Sequence, residues 1–473
     1  MTLPRRTRRR IDAAVAAAIA VVLAVTAFLV WRGSDFRATA NETAPSSVAP
    51  PTPSTPDALP GRLVQRWEIT TDPEFGAVAS VYGSVVTADE HTVTGHDART
   101  GKQIWSYSRS NVPLCGIGSG DTVVTDLDAW PGVHGIVTVY AKNGWCSQVT
   151  TLDPNTGERL LQRTSPNQLG GRLFFGSPYA GWLGQDYLEL WRHDLLATIR
   201  YGNQPNPVNS DGRHTGCTFT DAAVTDLQLA TIEHCTDAPN TAKLVLNWPT
   251  PGDAPDGKSK GWDTNHSQPK ATIELHSPDA LIVGVTSDRA AVLVSAPRPA
   301  LVVYDSSGKE VSRKPVDISA AEIADTADAG ITPSVIYNTR RYSLVGHHLL
   351  AMSAESVSVV APTTATSTAG NPNDQAQSSS GAATSSALPQ MITEQSPVLD
   401  WIAPDAAGLP TRISNAILVP TASGLTARAV SAGTVQRTVP VDRGSYTGRV
   451  DVTAIGSMLV EIRGGTVVGL GRA

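Results

Sequence analysis

Charged residues, and basic residues in particular, are scarce in this chain of 473 residues. Asp, Glu, Lys and Arg together make up only 17%, which is too little for a coiled coil or a disordered protein. Seven arginines and two aspartates fall within residues 1–37, so the rest of the chain carries −11 although the total charge is −6. A body this acidic lacks the clustered cations that nucleic acid or an anionic membrane face requires. The composition therefore predicts no nucleic-acid partner.

The chain is also poor in motifs that mark catalytic, cofactor or metal sites. It has no H-E-x-x-H, no C-x-x-C-H and no G-x-G-x-x-G. The adjacent pair His347-His348 would point to opposite faces of a strand, and the acidic segment 325–330 has the wrong spacing for an EF-hand. We therefore expect no catalytic residue, no cofactor and no metal site, and we predict that the protein is not an enzyme.

One long hydrophobic run is present, near the amino terminus. The run Ala13–Trp31 would form a helix about 28 Å long, which matches the hydrocarbon core of a bilayer. Five arginines precede it, so we predict a single-pass helix in the inner membrane, with residues 1–12 in the cytoplasm and the remainder periplasmic. The alternative is a cleaved signal peptide, because Ala38-Thr39-Ala40 resembles an A-x-A cleavage site.

Two segments are too rich in proline or small polar residues to form a core. The first, residues 32–61, contains six prolines and is predicted to be an extended spacer between the helix at 13–31 and a folded body at 62–473. The second, residues 363–389, is predicted to be a disordered insertion within that body, because strand-like sequence resumes after it.

The four cysteines all lie beyond the hydrophobic run, which favours disulfides in an oxidising compartment. The segment from Cys217 to Cys235 resembles two strands around a turn at Asp226, which would place these two cysteines opposite each other. Cys115 and Cys146 form the second predicted pair. Zinc binding is the alternative, but the usual Cys and His spacings of zinc sites are missing.

Short alternating strands recur from residue 62 onward, most clearly in the four-strand unit Gly76–Asn111. Its turn, Asp97–Gly101, returns as Asp153–Gly157, and in both turns Asp would cap the backbone while Gly takes a positive φ. The one segment with helical character is Ile318–Thr326. The body is therefore predicted to be a repeat of β-strands.

The stretch Asp97-Ala98-Arg99-Thr100-Gly101-Lys102-Gln103-Ile104-Trp105 resembles the blade ending of PQQ-like β-propellers. This family includes BamB-type assembly scaffolds and quinoprotein dehydrogenases. The resemblance implies an all-β propeller of about seven four-stranded blades. The segment 445–473 supplies only three strands, so we expect Leu63–Ile69 to pair with them and close the ring.

Three functional hypotheses follow. The anchor, the spacer and the propeller are laid out as in mycobacterial membrane-anchored periplasmic propellers. That resemblance implies a scaffold or lipid-binding factor in envelope biogenesis, which handles trehalose monomycolate beside an RND-type exporter during polar growth. Its expected partners are a membrane protein of the envelope lipid-export machinery and a glycolipid. The second hypothesis is a quinoprotein or hydrolytic propeller enzyme, and the third is a ligand-free interaction module.

Three tryptophans are candidates for a ligand surface: Trp130, Trp182 and Trp262. Trp130 and Trp262 lie in polar loops rich in Gly and Pro, where an indole ring would be available to a sugar or an acyl chain. The alternative for each ring is a packing role between blades.

Overall fold

The protein folds as an eight-bladed β-propeller preceded by one apolar helix. The computed structural model describes residues 5–45, 59–79, 83–120, 135–176, 178–204, 215–250, 269–337, 340–360 and 391–473. The prediction of an all-β propeller is confirmed. The predicted count of about seven blades is corrected to eight, because eight separate sheets are present in the described residues.

Four elements precede the first complete blade: helices α1 (Arg5–Arg32) and α2 (Asp35–Ala38) and strands β1 (Thr39–Glu42) and β2 (Leu63–Thr70). Residues Asp12–Arg32 of α1 are long and apolar enough to cross a membrane, with a mean hydropathy of 2.8. An anchor and a signal sequence both fit this finding, since both are apolar helices near an amino terminus.

Blades 1 to 4 each consist of four consecutive strands, which run in chain order from the inside of the ring outward. Blade 1 has β3 (Ala77–Ala79), β4 (Ser84–Ala88), β5 (Thr92–Asp97) and β6 (Gln103–Arg109); blade 2 has β7 (Leu114–Ser119), β8 (Ile136–Lys142), β9 (Trp145–Leu152) and β10 (Arg159–Thr164); blade 3 has β11 (Arg172–Gly176), β12 (Tyr179–Leu183), β13 (Tyr187–Arg192) and β14 (Ala197–Gly202); blade 4 has β15 (Cys217–Val224), β16 (Leu229–Cys235), β17 (Ala242–Asn247) and β18 (Ala271–Glu274).

The second half of the ring continues this pattern, with a helix before blade 6. Blade 5 has β19 (Ala280–Val285), β20 (Arg289–Val294), β21 (Ala300–Asp305) and β22 (Glu310–Pro315); α3 (Ala320–Asp328) follows; blade 6 has β23 (Ser334–Tyr337), β24 (Arg340–Val345), β25 (His348–Val360) and β26 (Met391–Ala403); blade 7 has β27 (Thr411–Ile413), β28 (Ala416–Thr421), β29 (Gly424–Ala429) and β30 (Val435–Pro440); blade 8 has β31 (Val450–Ile455), β32 (Met458–Arg463) and β33 (Thr466–Arg472). The predicted insertion 363–389 lies outside the described residues; β25 and β26, which flank it, pair with each other.

The two ends of the propeller body close the ring within blade 8. Strand β2 pairs antiparallel with β33, from Leu63 opposite Arg472 to Thr70 opposite Thr466. This pairing confirms the predicted closure and explains the eighth blade. Because β2 supplies the fourth strand, the three carboxy-terminal strands complete a blade of their own and do not share one with β27 to β30.

Strand β1 adds a fifth strand to blade 1, which is a feature that the sequence did not indicate. It pairs antiparallel with the outer strand β6, with Thr39 opposite Arg109 and Glu42 opposite Ser106. These residues belong to the range 32–61 that we expected to be an extended spacer. Residues 39–42 are instead part of a sheet, because the outer strand of a blade offers free backbone donors and acceptors to a neighbouring segment.

Turn chemistry between strands follows the expected pattern. The Asp97 carboxylate accepts a hydrogen bond from the backbone N–H of Arg99 at 2.7 Å, and Gly101 has φ +70°. In the second turn the Asp153 carboxylate accepts from the N–H of Thr156 at 2.7 Å, and Gly157 has φ +71°. A residue with a side chain would be strained at either glycine. These two turns connect the third strand of a blade to its outer strand.

Tryptophans on outer strands join several blades to their neighbours. Trp67, Trp105 and Trp401 each donate an Nε1 hydrogen bond of 3.0 Å to a carbonyl in the corresponding turn of the next blade: that of Ala98, Pro154 and Val430, respectively. Each indole also packs over a glycine of the same turn. The tryptophan in the predicted blade ending therefore acts between blades.

Both predicted disulfides are present. Cys217 and Cys235 lie directly opposite each other on β15 and β16, and they are bonded. Cys115 is bonded to Cys146, with their Cα atoms 5.9 Å apart. Zinc binding by these cysteines is excluded by the disulfides, because no thiolate remains free.

Candidate functional site

A cavity of about 470 Å³ lies at the centre of the ring. Its lining residues come from seven of the eight blades; Arg341 lies on the second strand of blade 6, and the others lie on innermost strands or just before them. We call this cavity the central channel. Its volume falls within the range of about 300–1,000 Å³ that is usual for small-molecule sites.

Much of the channel wall is apolar. The apolar side chains come from strands or linkers of five blades: Val78, Ile117, Leu173, Phe174, Phe175, Ile331, Val335, Ile336 and Leu409. Phe175 of blade 3 packs against blade 2 at Gly118, where an added Cβ would come within 2.5 Å of the phenyl ring. The absence of a side chain at Gly118 therefore allows the Phe175 ring to form part of the wall.

Three arginines line the same cavity: Arg172, Arg341 and Arg449. None of the described residues that line it is Asp or Glu. Arg172 donates to the carbonyl of Ala329, and Arg449 donates to Asp451 at 2.9 Å. Two of the three cations therefore have partners in the protein, while a donor group of Arg341 has none among the described residues.

Arg341 is the cation best placed to bind a ligand. Its Nε is buried and has no hydrogen-bond partner in the described part of the chain. Desolvation lowers the pKa of Arg341 from its ordinary value, and the charge of Asp221 opposes this shift. An arginine remains protonated at neutral pH. A buried guanidinium donor without an acceptor is costly, so an oxygen-rich ligand group would be stabilised there.

Asp221 lies behind the wall of the central channel, and both of its carboxylate oxygens are hydrogen-bonded within the protein. Its carboxylate accepts from the N–H of Ala222 and Ile282, and from both the N–H and the hydroxyl of Thr332, at 2.6–3.0 Å. Burial raises the pKa of Asp221, and these hydrogen bonds oppose that effect. Because Asp221 joins blades 4 and 5 to the segment before blade 6, it holds the wall in place and has no lone pair left for a ligand.

Of the three candidate tryptophans the structure describes Trp182, which does not line the central channel. Trp182 is fully buried between blades 2 and 3, and its Nε1 donates to the carbonyl of Gln168 at 3.0 Å. This burial favours the packing alternative for Trp182. Trp130 and Trp262 lie outside the described residues.

The channel residues could not be recognised from sequence because they are distributed along the chain. Arg172, Arg341 and Arg449 lie on three different blades, and no local motif joins them. The available signal was a charged residue at the start of an otherwise apolar strand, as in Arg172 before Leu173 and Phe174. That signal also fits an ordinary strand end.

Two further features bear on catalytic or metal chemistry. Among the described residues, one group of three potential metal ligands lies close together, and it consists of Cys217, Glu233 and Cys235. Its two sulfur atoms form a disulfide. Residues 252–261 match both G-x-x-x-x-G-K-S and G-x-S-x-G but lie outside the described residues. The strands on either side, β17 and β18, are antiparallel neighbours.

No protein-family model matches the chain, and no curated protein matches it. Solved structures with a similar fold include BamB from Moraxella catarrhalis, at 12% identity over 86% of this chain and 99% of that one, with a TM-score of 0.42. The quinohemoprotein alcohol dehydrogenase ADHIIG from Pseudomonas putida HK5 is 12% identical over 89% and 78% of the two chains, with a TM-score of 0.41. The C-terminal WD40 domain of Sif2 is 7% identical over 88% and 100%, with a TM-score of 0.47. These likenesses concern the propeller fold alone.

Proposed function

We propose that this protein is a membrane-anchored, extracytoplasmic propeller that binds a lipid in its central channel and serves as a scaffold or lipid-binding factor in cell-envelope biogenesis. The observation that carries the proposal is the central channel, whose apolar wall is combined with three arginines and with no carboxylate among its described lining residues. An amphiphile has the same two parts, an apolar chain and an oxygen-rich headgroup.

The acyl chain and the headgroup would each contribute to binding. Each methylene group transferred from water to the apolar wall contributes about 0.8 kcal/mol. The headgroup would accept hydrogen bonds from Arg341, whose Nε has no partner in the described residues, and from the remaining donors of Arg172 and Arg449. The ring would thereby shield an acyl chain from water outside the membrane.

The location and partner belong to the same proposal. The amino-terminal apolar helix is assigned as a single-pass anchor in the inner membrane, with its amino terminus in the cytoplasm and the propeller on the periplasmic side. The five arginines that precede the helix support this orientation. The partner is a membrane protein of the envelope lipid-export machinery, which would deliver lipid to the channel or receive lipid from it.

In its finer form the proposal names the lipid as trehalose monomycolate, the partner as an RND-type exporter, and the process as polar growth of the mycolic-acid envelope. The layout of anchor and propeller resembles that of the mycobacterial protein polar growth factor A. The Ala-, Thr- and Val-rich, Lys-poor composition is typical of actinobacteria with GC-rich genomes. These two features support the finer form.

The proposal is tested by extracting lipid from the purified full chain and identifying it by mass spectrometry. We expect the wild-type protein to retain a lipid. The Arg341→Ala variant should retain less of it, by a factor of about ten or more, because a charge-assisted hydrogen bond contributes about 1.5–3 kcal/mol. Arg313→Ala is the matched control, since Arg313 is exposed on β22 and forms a surface ion pair with Glu310.

Two outcomes would contradict the proposal. A wild-type protein without any bound lipid would favour the ligand-free interaction module. Equal amounts of lipid retained by the wild-type protein and by Arg341→Ala would show that the channel is not the binding site. A retained lipid that contains no trehalose would contradict only the finer form.

A further inference from the structure

A second, larger cavity lies beside the amino-terminal segment, away from the central channel. Its volume is about 680 Å³, and it lies between residues 35–41, strand β6 of blade 1 and strands β9 and β10 of blade 2. Four arginines line it: Arg37, Arg109, Arg159 and Arg163. We call this cavity the juxtamembrane cleft, because one of its walls is the segment that directly follows α1.

The segment that forms this wall is fixed to the propeller. Besides the β1–β6 pairing, Asp35 forms an ion pair with Lys142 of blade 2 and accepts a hydrogen bond from Asn111 at 2.9 Å. The hydrogen bond from Lys142, followed by that from Asn111, lowers the pKa of Asp35 from its ordinary value. The Asp35 carboxylate is therefore charged near neutral pH, and the wall of the cleft remains docked.

The cleft lies beside the end of α1, which would place it at the membrane surface. In this respect the inference rests on the anchor in the proposed function. If Asp12–Arg32 spans the bilayer, Trp31 lies at the interface, where tryptophan is enriched. The guanidinium of Arg37 stacks 5.0 Å from the centre of the Trp31 ring. Phe36, which also lines the cleft, is 84% exposed. A basic side chain and an apolar side chain thus lie together at the depth of lipid headgroups.

The charges of the cleft are only partly balanced within the protein. Arg163 is paired with the buried Glu189, and Arg109 lies 3.6 Å from Asp35. Among the described residues, Arg37 and Arg159 have no carboxylate partner. Arg109 is 5% exposed, and its Nε has no hydrogen-bond partner in the described part of the chain. The cleft is therefore locally basic although the body as a whole is acidic.

We propose that the juxtamembrane cleft binds the phosphate of an anionic phospholipid headgroup in the membrane leaflet that faces the propeller. Guanidinium groups bind phosphate oxygens in bidentate geometry, and basic clusters beside a membrane helix attract anionic lipids. Arg37 and Arg159 provide the two unbalanced cations, while Phe36 contacts the acyl boundary. Binding fixes blade 1 against the membrane and so determines which face of the propeller is turned toward a membrane partner.

The test uses the full chain purified in a non-ionic detergent and titrated by native mass spectrometry. The probes are phosphatidylglycerol, phosphatidylcholine and inorganic phosphate. Wild-type protein should bind phosphatidylglycerol in preference to the other two. The double variant Arg37→Ala/Arg159→Ala should bind it about 30-fold more weakly, because each basic side chain near an anionic surface contributes about 1 kcal/mol. The control Arg313→Ala/Lys314→Ala removes two exposed cations from β22 and should bind it as wild type does.

Several results would overturn this assignment. They are equal binding of phosphatidylglycerol and phosphatidylcholine, saturation by inorganic phosphate alone, or unchanged binding by the double variant. Arg341→Ala should retain phosphatidylglycerol binding even where it loses the channel lipid, which separates failure of the cleft from failure of the channel. The intact mass of the same preparation tests the anchor: a chain that begins after Ala40 contradicts both the anchor and the cleft.

Discussion

Replacement of Glu461 by alanine is expected to lower the free energy of unfolding by about 3–5 kcal/mol. Glu461 is fully buried on β32 and forms ion pairs with Arg443 and Arg463, whose side chains are 5% and 9% exposed. Arg443 donates to both carboxylate oxygens, at 2.9 and 2.7 Å. The substitution would leave two buried guanidinium groups without their shared anion.

This network also joins two blades. Arg443 donates to the carbonyls of Thr421 and Gly424 in blade 7, while Glu461 belongs to blade 8. Loss of Glu461 therefore weakens the contact between blade 7 and blade 8, the blade that closes the ring.

The effect of Glu461→Ala can be measured by denaturant unfolding of the purified chain. Glu310→Ala is the control, because Glu310 and Arg313 form an exposed ion pair that contributes about 0–1 kcal/mol. Similar losses of stability in the two variants would contradict the buried network.

Replacement of Trp105 by alanine should be comparably destabilising, by about 3–5 kcal/mol. Trp105 is 1% exposed and belongs to an apolar cluster that contains residues of blades 1 and 2. Its ring packs over Gly157, and its Nε1 donates to the carbonyl of Pro154 at 3.0 Å. Alanine would leave a cavity at this junction and an unpaired carbonyl.

Two further variants separate the contributions of Trp105. Trp105→Phe retains most of the packing but loses the hydrogen bond, so a loss of about 1 kcal/mol is expected. Trp145→Ala is the control, since Trp145 is 36% exposed and should have a much smaller effect. A wild-type melting temperature for Trp105→Ala would show that this residue does not hold the two blades together.

Local patterns in the sequence were sufficient to predict the four-stranded blade, a disulfide and a short helix. The pairing of Cys217 with Cys235 depended only on a hairpin whose turn could be located between them. The helix predicted at Ile318–Thr326 occurs as α3, where Ser319 and Glu322 form a capping box. Each of these features is determined by residues that are close together in the chain, so its signal is local.

Features that depend on distant segments could not be predicted in the same way. The number of blades depended on whether β2 was added to a complete blade or supplied the missing strand of an incomplete one. The spacing of the predicted strands is compatible with both arrangements. Strand β1 lies in a Pro- and Thr-rich region with no apolar alternation, and it is formed by backbone pairing with β6. Backbone pairing of this kind leaves little trace in side-chain identity.

The candidate site in the central channel was even less accessible from sequence. Three tryptophans were predicted to be ligand contacts, yet Trp182, the one that the structure describes, is buried between blades 2 and 3. No arginine beyond the amino terminus was predicted to be functional, although Arg172, Arg341 and Arg449 give the channel its positive charge. Ring geometry brings them together from positions as far apart as 172 and 449.

Photo-crosslinking with a lipid that carries a diazirine in its acyl chain would show whether the central channel binds lipid, because the labelled peptides report where the acyl chain lies. We expect the labels on the full chain to fall on the channel wall, at Leu173–Phe175 and Val335–Ile336, and to decrease in Arg341→Ala. Labels confined to α1 and the outer strands of the blades, unchanged in that variant, would contradict a lipid-binding channel.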